Sequence, residues 1–139
     1  WRQSRRRLFK FIFLAIAKDM LTKEFAEHFA ADWIDSWNSH DLQRILSHYT
    51  DDFEMSSPLI AAVANEPSGV LKGKEAVGTY WSKALQRFPG LKFELHTVYT
   101  GAVSVVITYR NVSRGVMAAE IFYFNDEGKV YRASGNYAA

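Results

Sequence analysis

Trp37-Asn38-Ser39-His40-Asp41-Leu42, then Ile45-Leu46, Tyr49 and Thr50-Asp51-Asp52-Phe53-Glu54-Met55-Ser56-Ser57-Pro58, is the stretch whose reading decides the fold. Upstream of it, Phe25, Phe29, Trp33 and Trp37 recur every four residues, flanked by Ala26, Ala30 and Ile34. That period predicts a helix from about Thr22 to Asn38 with one wide apolar face, while Glu24, Glu27, Asp32 and Asp35 sit largely off it. Asn38-Ser39-His40 breaks the helix. Asp41 then caps a short second helix on which Leu42, Ile45, Leu46 and Tyr49 are buried at helical spacing. The Asp51-Asp52 turn leads into a short strand over Phe53–Ser57, which Pro58 ends at an edge or loop position.

Downstream, residues 59–72 read as a long loop around Pro67-Ser68-Gly69, of a length that is often functional in a small domain. Gly73-Lys74-Glu75 opens a third helix to about Arg87, with Val77, Tyr80, Trp81, Leu85 and Phe88 on its apolar side, and Pro89-Gly90 stops it. Four strands follow, at about 91–100, 102–110, 116–124 and 129–137, joined by Thr100-Gly101, Ser113-Arg114-Gly115 and Asn125-Asp126-Glu127-Gly128. Short turns between successive strands predict an antiparallel meander. The fold class read from this order is α+β: three helices packed on one curved, mostly antiparallel sheet that forms a cone with a ligand-holding mouth.

Composition narrows the function. Aromatic residues make up 15% of the 139 residues, which favours a large core or an aromatic-lined pocket. With no cysteine there is no disulfide framework, thiolate metal site or cysteine nucleophile. The net charge of +2 is misleading, because Arg2, Arg5, Arg6, Arg7, Lys10 and Lys18 face only Asp19 in the first nineteen residues. Residues 20–139 are therefore mildly acidic and carry no basic stripe, so no nucleic-acid partner is expected.

The domain organisation read from the chain is a basic, apolar extension over 1–19 and one domain over 20–139. Arg5-Arg6-Arg7 before the run Leu8 to Ala17 resembles the start of an export signal, and the run is shorter than the about 20 residues a membrane span needs. Three readings fit it: sequence upstream of a natural start at Met20, an amphipathic helix packed on the domain or a partner, or an export or membrane-surface segment. A cytoplasmic location is the expectation, with export through this segment left open.

The carriers Trp37 to Leu42, Thr50 to Phe53, Leu71 to Val77 and Phe124 to Val130, in that order, resemble the nuclear transport factor 2-like superfamily, in particular its bacterial SnoaL-like branch. The resemblance spans roughly Phe25 to Tyr137 and implies the cystatin-like cone fold. It also implies a small-molecule site used by isomerases, cyclases, dehydratases and epoxide hydrolases as well as by non-catalytic members. Carried over residue by residue from the ketosteroid isomerase branch, the oxyanion-binding tyrosine falls at Trp33 and the general-base aspartate at Ser57. The protonated aspartate falls at Glu120, and two supporting tyrosines at Tyr49 and Trp81. A serine has far too high a pKa to serve as that base, so the isomerase reaction is not expected. The Asp-Arg-Asp set of limonene-epoxide-hydrolase-like members is also missing, since Ala118 stands two residues before Glu120.

Strand alternation puts Ala118, Glu120 and Phe122 on one face, and the resemblance turns that face into the cone. Glu120 is the candidate catalytic residue: a carboxyl among aromatics has its pKa raised by desolvation and can act as acid, base or hydrogen-bond donor. Trp33, Tyr49, Met55, Ser57, Trp81, Phe122 and Tyr137 are the candidate ligand-binding residues. For each aromatic, plain core packing is the competing reading, and for Ser57 it is satisfaction of the strand-end backbone. The row Glu24, His28 and Asp32 reads as a solvated helix face, and no metal site is expected. His48 is expected to face out, and His96 to lie on the outer sheet face. Two functions remain open at this level. One is a cofactor-free acid/base protein acting on an apolar ligand with an oxygen function. The other is a non-catalytic interaction or ligand-sensing domain. A homodimer through the outer sheet face is expected, with Ser104, Val106, Thr108 and Arg110 on that face.

Overall fold

The structure is a computed structural model and describes residues 21–139. The readings of residues 1–19 lie outside the described residues. Helix α1 spans Lys23–Asn38 because its apolar residues repeat every turn and Thr22 caps it, its hydroxyl accepting the Phe25 N–H at 3.0 Å. Ala26, Phe29, Ala30, Trp33, Ile34 and Trp37 are buried along its inner face. The chain turns at His40 in a left-handed conformation (φ 57°), and Asp41 caps α2, Leu42–Leu46, by accepting the Arg44 N–H at 3.1 Å.

Strand β1 runs over Tyr49–Ser56, longer than predicted, so Tyr49 opens a strand and does not extend the second helix. Residues 59–72 are not a single loop. Ser57 and Pro58 start a short helix α3, Pro58–Val63, and Val70–Lys72 forms strand β2. Pro58 misleads as a terminator: its fixed φ and missing N–H suit the first position of a helix, and the Ser57 hydroxyl accepts the Leu59 N–H at 3.2 Å. Helix α4 spans Lys74–Arg87, and the meander follows as β3 (Phe93–Thr100), β4 (Ser104–Asn111), β5 (Val116–Phe124) and β6 (Val130–Tyr137). Among the described residues, then, the three expected helices are joined by α3.

The six strands make one sheet in the order β2-β1-β6-β5-β4-β3. Every neighbouring pair is antiparallel except β1 and β6, which run parallel. The β1 strand is therefore internal, and β2 and β3 form the edges. Inward residues of the central strands, Val105, Ile107, Tyr109, Ala118, Phe122 and Ala133, are buried, and Phe122 and Tyr109 meet Phe29 and Trp33 of α1. Phe29 stands edge-on to both Phe122 and Phe124, with ring centroids 5.0 and 4.9 Å apart. Each large aromatic removed from water there contributes about 2–3 kcal/mol. Asn38 at the end of α1 ties the helix to β3: its Nδ2 donates to the Phe93 carbonyl at 2.9 Å and its Oδ1 accepts the Phe93 N–H at 2.8 Å.

Candidate functional site

Glu120 sits midway along β5, opposite Ile107 of β4 and Gly135 of β6. Its neighbours two residues either side, Ala118 and Phe122, are buried inward, so the pleat carries the carboxyl into the cone with them. Glu120 is only 5% exposed. The Tyr109 hydroxyl donates to Oε1 at 2.9 Å, whereas Oε2 is buried with no hydrogen-bond partner among the described residues. Tyr109 is itself fixed between Phe93 and Trp33, with ring centroids 4.5 and 5.4 Å away.

Gly135 makes room for this arrangement. A Cβ at that position would come within 3.3 Å of the Tyr137 hydroxyl, 3.5 Å of Met55 Cε and 3.6 Å of Glu120 Oε1. Three of the residues expected at the site, Met55, Glu120 and Tyr137, thus meet around Gly135, where an added methyl would press on the Tyr137 hydroxyl. Tyr137 is the outer member, 36% exposed above the covered carboxyl.

The other expected residues fall into two groups. Trp33 and Tyr49 are buried together, the indole Nε1 donating to the Tyr49 hydroxyl at 2.9 Å. Trp81 packs against Tyr49 and Trp37, at 5.3 and 5.2 Å between ring centroids. These rings are part of the buried core. Phe122 is fully buried between Phe29 and Trp33 and belongs to the core. Ser57 spends its hydroxyl on capping α3, the backbone-satisfying alternative, yet stands close enough to Tyr137 to influence its ionisation.

Burial raises the Glu120 pKa to about 7, and the Tyr109 hydrogen bond, which stabilises the carboxylate, works against that rise. Burial likewise pushes the phenols of Tyr49 and Tyr109 well above 10, and the nearby Glu120 charge adds to it. Tyr80 on α4 is raised by the same two causes. Tyr137 is pushed up to about 12 by burial and then by Glu120, with Ser57 acting in the opposite direction. All four phenols stay protonated at neutral pH, so one carboxyl that ionises near neutrality has a single hydroxyl donor, Tyr109, with three further phenols close enough to feel its charge. That is the composition of a general acid/base site.

Sequence reasoning missed Tyr80 and Tyr109 as site members. Both carry the right signal, since Tyr80 lies on the apolar side of its helix and Tyr109 alternates inward with Val105 and Ile107. His48 is a correction of a different kind. Its side chain is not turned out but is 9% exposed, set edge-on against Phe29 at 5.5 Å, with Nε2 2.6 Å from Asp32 Oδ2. Asp32 also accepts from Arg44 at 2.7 Å. Those two bonds engage the last member of the Glu24-His28-Asp32 row, and no metal-holding group of three or more His, Cys, Asp or Glu side chains occurs among the described residues. His96, at a register shift in β3, is exposed and bonds Thr108 and Thr97. The described residues also line an open groove of about 480 Å³ between α2 and α4, among them Leu42, Leu46, Lys74, Gly78 and Lys83. None of the residues expected at the site lines it.

The family model of the SnoaL-like domain matches residues 30–133, which takes in both these aromatic residues and Glu120. The chain belongs to the SnoaL-like family. A SnoaL-like protein of unknown function from Burkholderia thailandensis E264 is 49% identical to it, covers 87% of this chain and all of its own, and superimposes with a TM-score of 0.84. An NTF2-like protein of unknown function from Cytophaga hutchinsonii ATCC 33406 is 12% identical over 81% of this chain and 89% of its own, with a TM-score of 0.63. SalBIII, an epoxide hydrolase/cyclase-like enzyme of pyran ring formation in the polyether salinomycin, is 16% identical over 84% of this chain and 92% of its own, with a TM-score of 0.63. These distant likenesses show the shared cystatin-like, NTF2-like fold that the order of elements predicts. No curated protein matches the chain.

Proposed function

We propose that this SnoaL-like chain binds a neutral, largely apolar small molecule with a carbonyl, hydroxyl or ether oxygen in its cone and moves a proton at that oxygen through Glu120. The observation that carries the reading is the Glu120 carboxyl, buried, held at one oxygen by Tyr109 and unpartnered at the other. An unpartnered buried carboxyl oxygen costs about 1–3 kcal/mol, which a ligand hydrogen bond recovers. As acid, Glu120 breaks its Oε2–H bond while the ligand oxygen gains the proton. As base, the carboxylate takes a proton back from the ligand or from water. No electrons change hands, so the class of reaction is isomerase, cyclase, lyase or hydrolase. The cyclase-like description of SalBIII, on the same fold, is in keeping with it.

The wall of Trp33, Tyr49, Trp81 and Tyr137, with Met55, supplies apolar contact and hydroxyl dipoles. The groups that act on Glu120 and its phenols are themselves uncharged, apart from Arg114 near Tyr137, so a ligand carboxylate beside Glu120 would meet a like charge without a close counter-ion. Ser57, committed to its helix, leaves no second base on that side, which argues against the ketosteroid-type shift. Homodimerisation through the outer sheet face belongs to the same reading.

The test is a panel of neutral ketones, epoxides and hydroxylated cyclic ethers, with carboxylates of matched size, screened by thermal shift and then for turnover. Neutral members raise the melting temperature and the carboxylates do not. Glu120→Gln lowers turnover of any substrate found by about 10²–10⁴-fold, the range for a lost general acid/base. Unchanged turnover in that variant would remove Glu120 from the mechanism.

A further inference from the structure

The two oxygens of Glu120 are not equivalent, and the inequality has a structural source. Oε1 accepts the Tyr109 hydroxyl at 2.9 Å, and Oε2 accepts from nothing among the described residues. Tyr109 is 2% exposed and cannot turn away, because Phe93 and Trp33 flank its ring and β4 pairs on both sides, with β3 and β5. A phenol can donate or accept, but Oε1 is the one hydrogen-bond partner of the Tyr109 hydroxyl among the described residues, so the phenol proton finds an acceptor only while Oε1 carries no hydrogen. When Glu120 is protonated, its hydrogen is therefore directed to Oε2.

We propose that Tyr109 is a positioning residue that makes the Glu120 carboxyl single-ended, reserving Oε1 as a fixed acceptor and leaving Oε2 as the oxygen that carries and exchanges the working proton. The role concerns which atom acts, and it deepens the acid/base reading of Glu120 on which it rests. The groups around the carboxyl agree with it from every side. Tyr49 from β1, Tyr80 from α4 and Tyr137 from β6 feel its charge, yet none of them bonds either oxygen, and the Tyr49 hydroxyl already accepts from Trp33. Gly135 lies opposite the carboxyl: a Cβ there would touch Oε1 at 3.6 Å and press on the Tyr137 hydroxyl at 3.3 Å.

The test needs no ligand. Glutamate labelled with ¹³C at the side-chain carboxyl is followed by NMR in the full chain from pH 4 to pH 9, the Glu120 signal being assigned by its loss in Glu120→Gln. Removing a donor that favours the carboxylate moves the midpoint of that signal to higher pH in Tyr109→Phe, by about 0.5–1. Tyr49→Phe, which removes a phenol of the same wall that bonds neither oxygen, leaves the midpoint within about 0.2 of wild type. A Tyr109→Phe midpoint that stays in place or falls, or an equal rise in Tyr49→Phe, overturns the assignment. Should Tyr109→Phe fail to fold, the infrared difference between wild type and Glu120→Gln at pH 5 decides the matter. The protonated Glu120 carbonyl stretch is expected at the lowered frequency of a hydrogen-bonded acceptor, and a free-carbonyl frequency overturns the proposal. These readouts report the carboxyl itself, so they stand or fall separately from turnover in Glu120→Gln.

Discussion

Glu120 sets a pH signature on the stability of the fold. Its pKa in the folded protein is about 7, against 4.5 in an unstructured chain. Between those values the native state binds the proton more tightly than the unfolded state, so stability falls as pH rises from about 4.5 through 7. The loss is of order 3 kcal/mol at most, before any relaxation of the site is allowed for. Thermal unfolding of the wild type should therefore lose stability over that window, and Glu120→Gln should flatten the slope. Equal slopes in the two proteins would mean that the carboxyl is not held neutral. Asp32 acts in the opposite sense at the acid end: the Arg44 hydrogen bond, then His48, lower its pKa, so its contribution is present above 3.8 and disappears as pH falls through the folded value.

At the scale of elements, legibility followed length and chemistry. The first helix, the Asp41 cap, the third predicted helix and the four-strand meander were readable because each has a full period or a recognisable turn. Two elements escaped. The six residues of α3 and three of β2 are shorter than any period, and their existence depends on a cap at Ser57 and pairing of Val70–Lys72 with β1. The site was half legible for a related reason. Alternation alone placed Glu120 inward, but its partner Tyr109 depends on the register of β4 against β5, which puts Ile107 directly opposite and Tyr109 one diagonal step away. His48 was misread because its inward turn comes from Asp32 and Phe29 on a helix sixteen residues earlier in the chain. Asn38 offers a test at this scale. Its side chain mimics a strand partner for Phe93, so Asn38→Ala should destabilise the fold by about 2 kcal/mol, two hydrogen bonds at about 1 kcal/mol each. Asn38→Asp, which sets a carboxylate oxygen against the Phe93 carbonyl, should destabilise at least as much. Urea unfolding midpoints give the order directly.

Over the molecule as a whole, the outer face of the sheet is the counterpart of the cone. Tyr99 is 57% exposed and Tyr131 44%, and Val106, Thr108 and Ile121 lie between polar neighbours on the same side. On the dimer reading, sedimentation of the wild type gives twice the chain mass, and Val106→Lys, placing a charge in the middle of that face, shifts it to the monomer. Its unfolding midpoint should change little, because Val106 faces away from the core. A wild type that sediments as a monomer at all concentrations removes this face as a subunit interface.

The parallel seam between β1 and β6 has a further consequence, for how the chain is made. Ser56 and Ala133, which meet across it, are 77 residues apart in sequence. Strands β3, β4 and β5 can pair with one another as they leave the ribosome, and β1 with β2 before them. Neither group can join the other until Val130–Tyr137 arrives to lie between β1 and β5. A nascent chain that has emerged only to Lys129 thus holds two separate ribbons, each with a bare strand edge open to the wrong partner. The strand bearing Gly135 and Tyr137 is at once the piece that closes the sheet and the piece that completes the surroundings of Glu120. The sheet and the surroundings of Glu120 are therefore completed by the same strand.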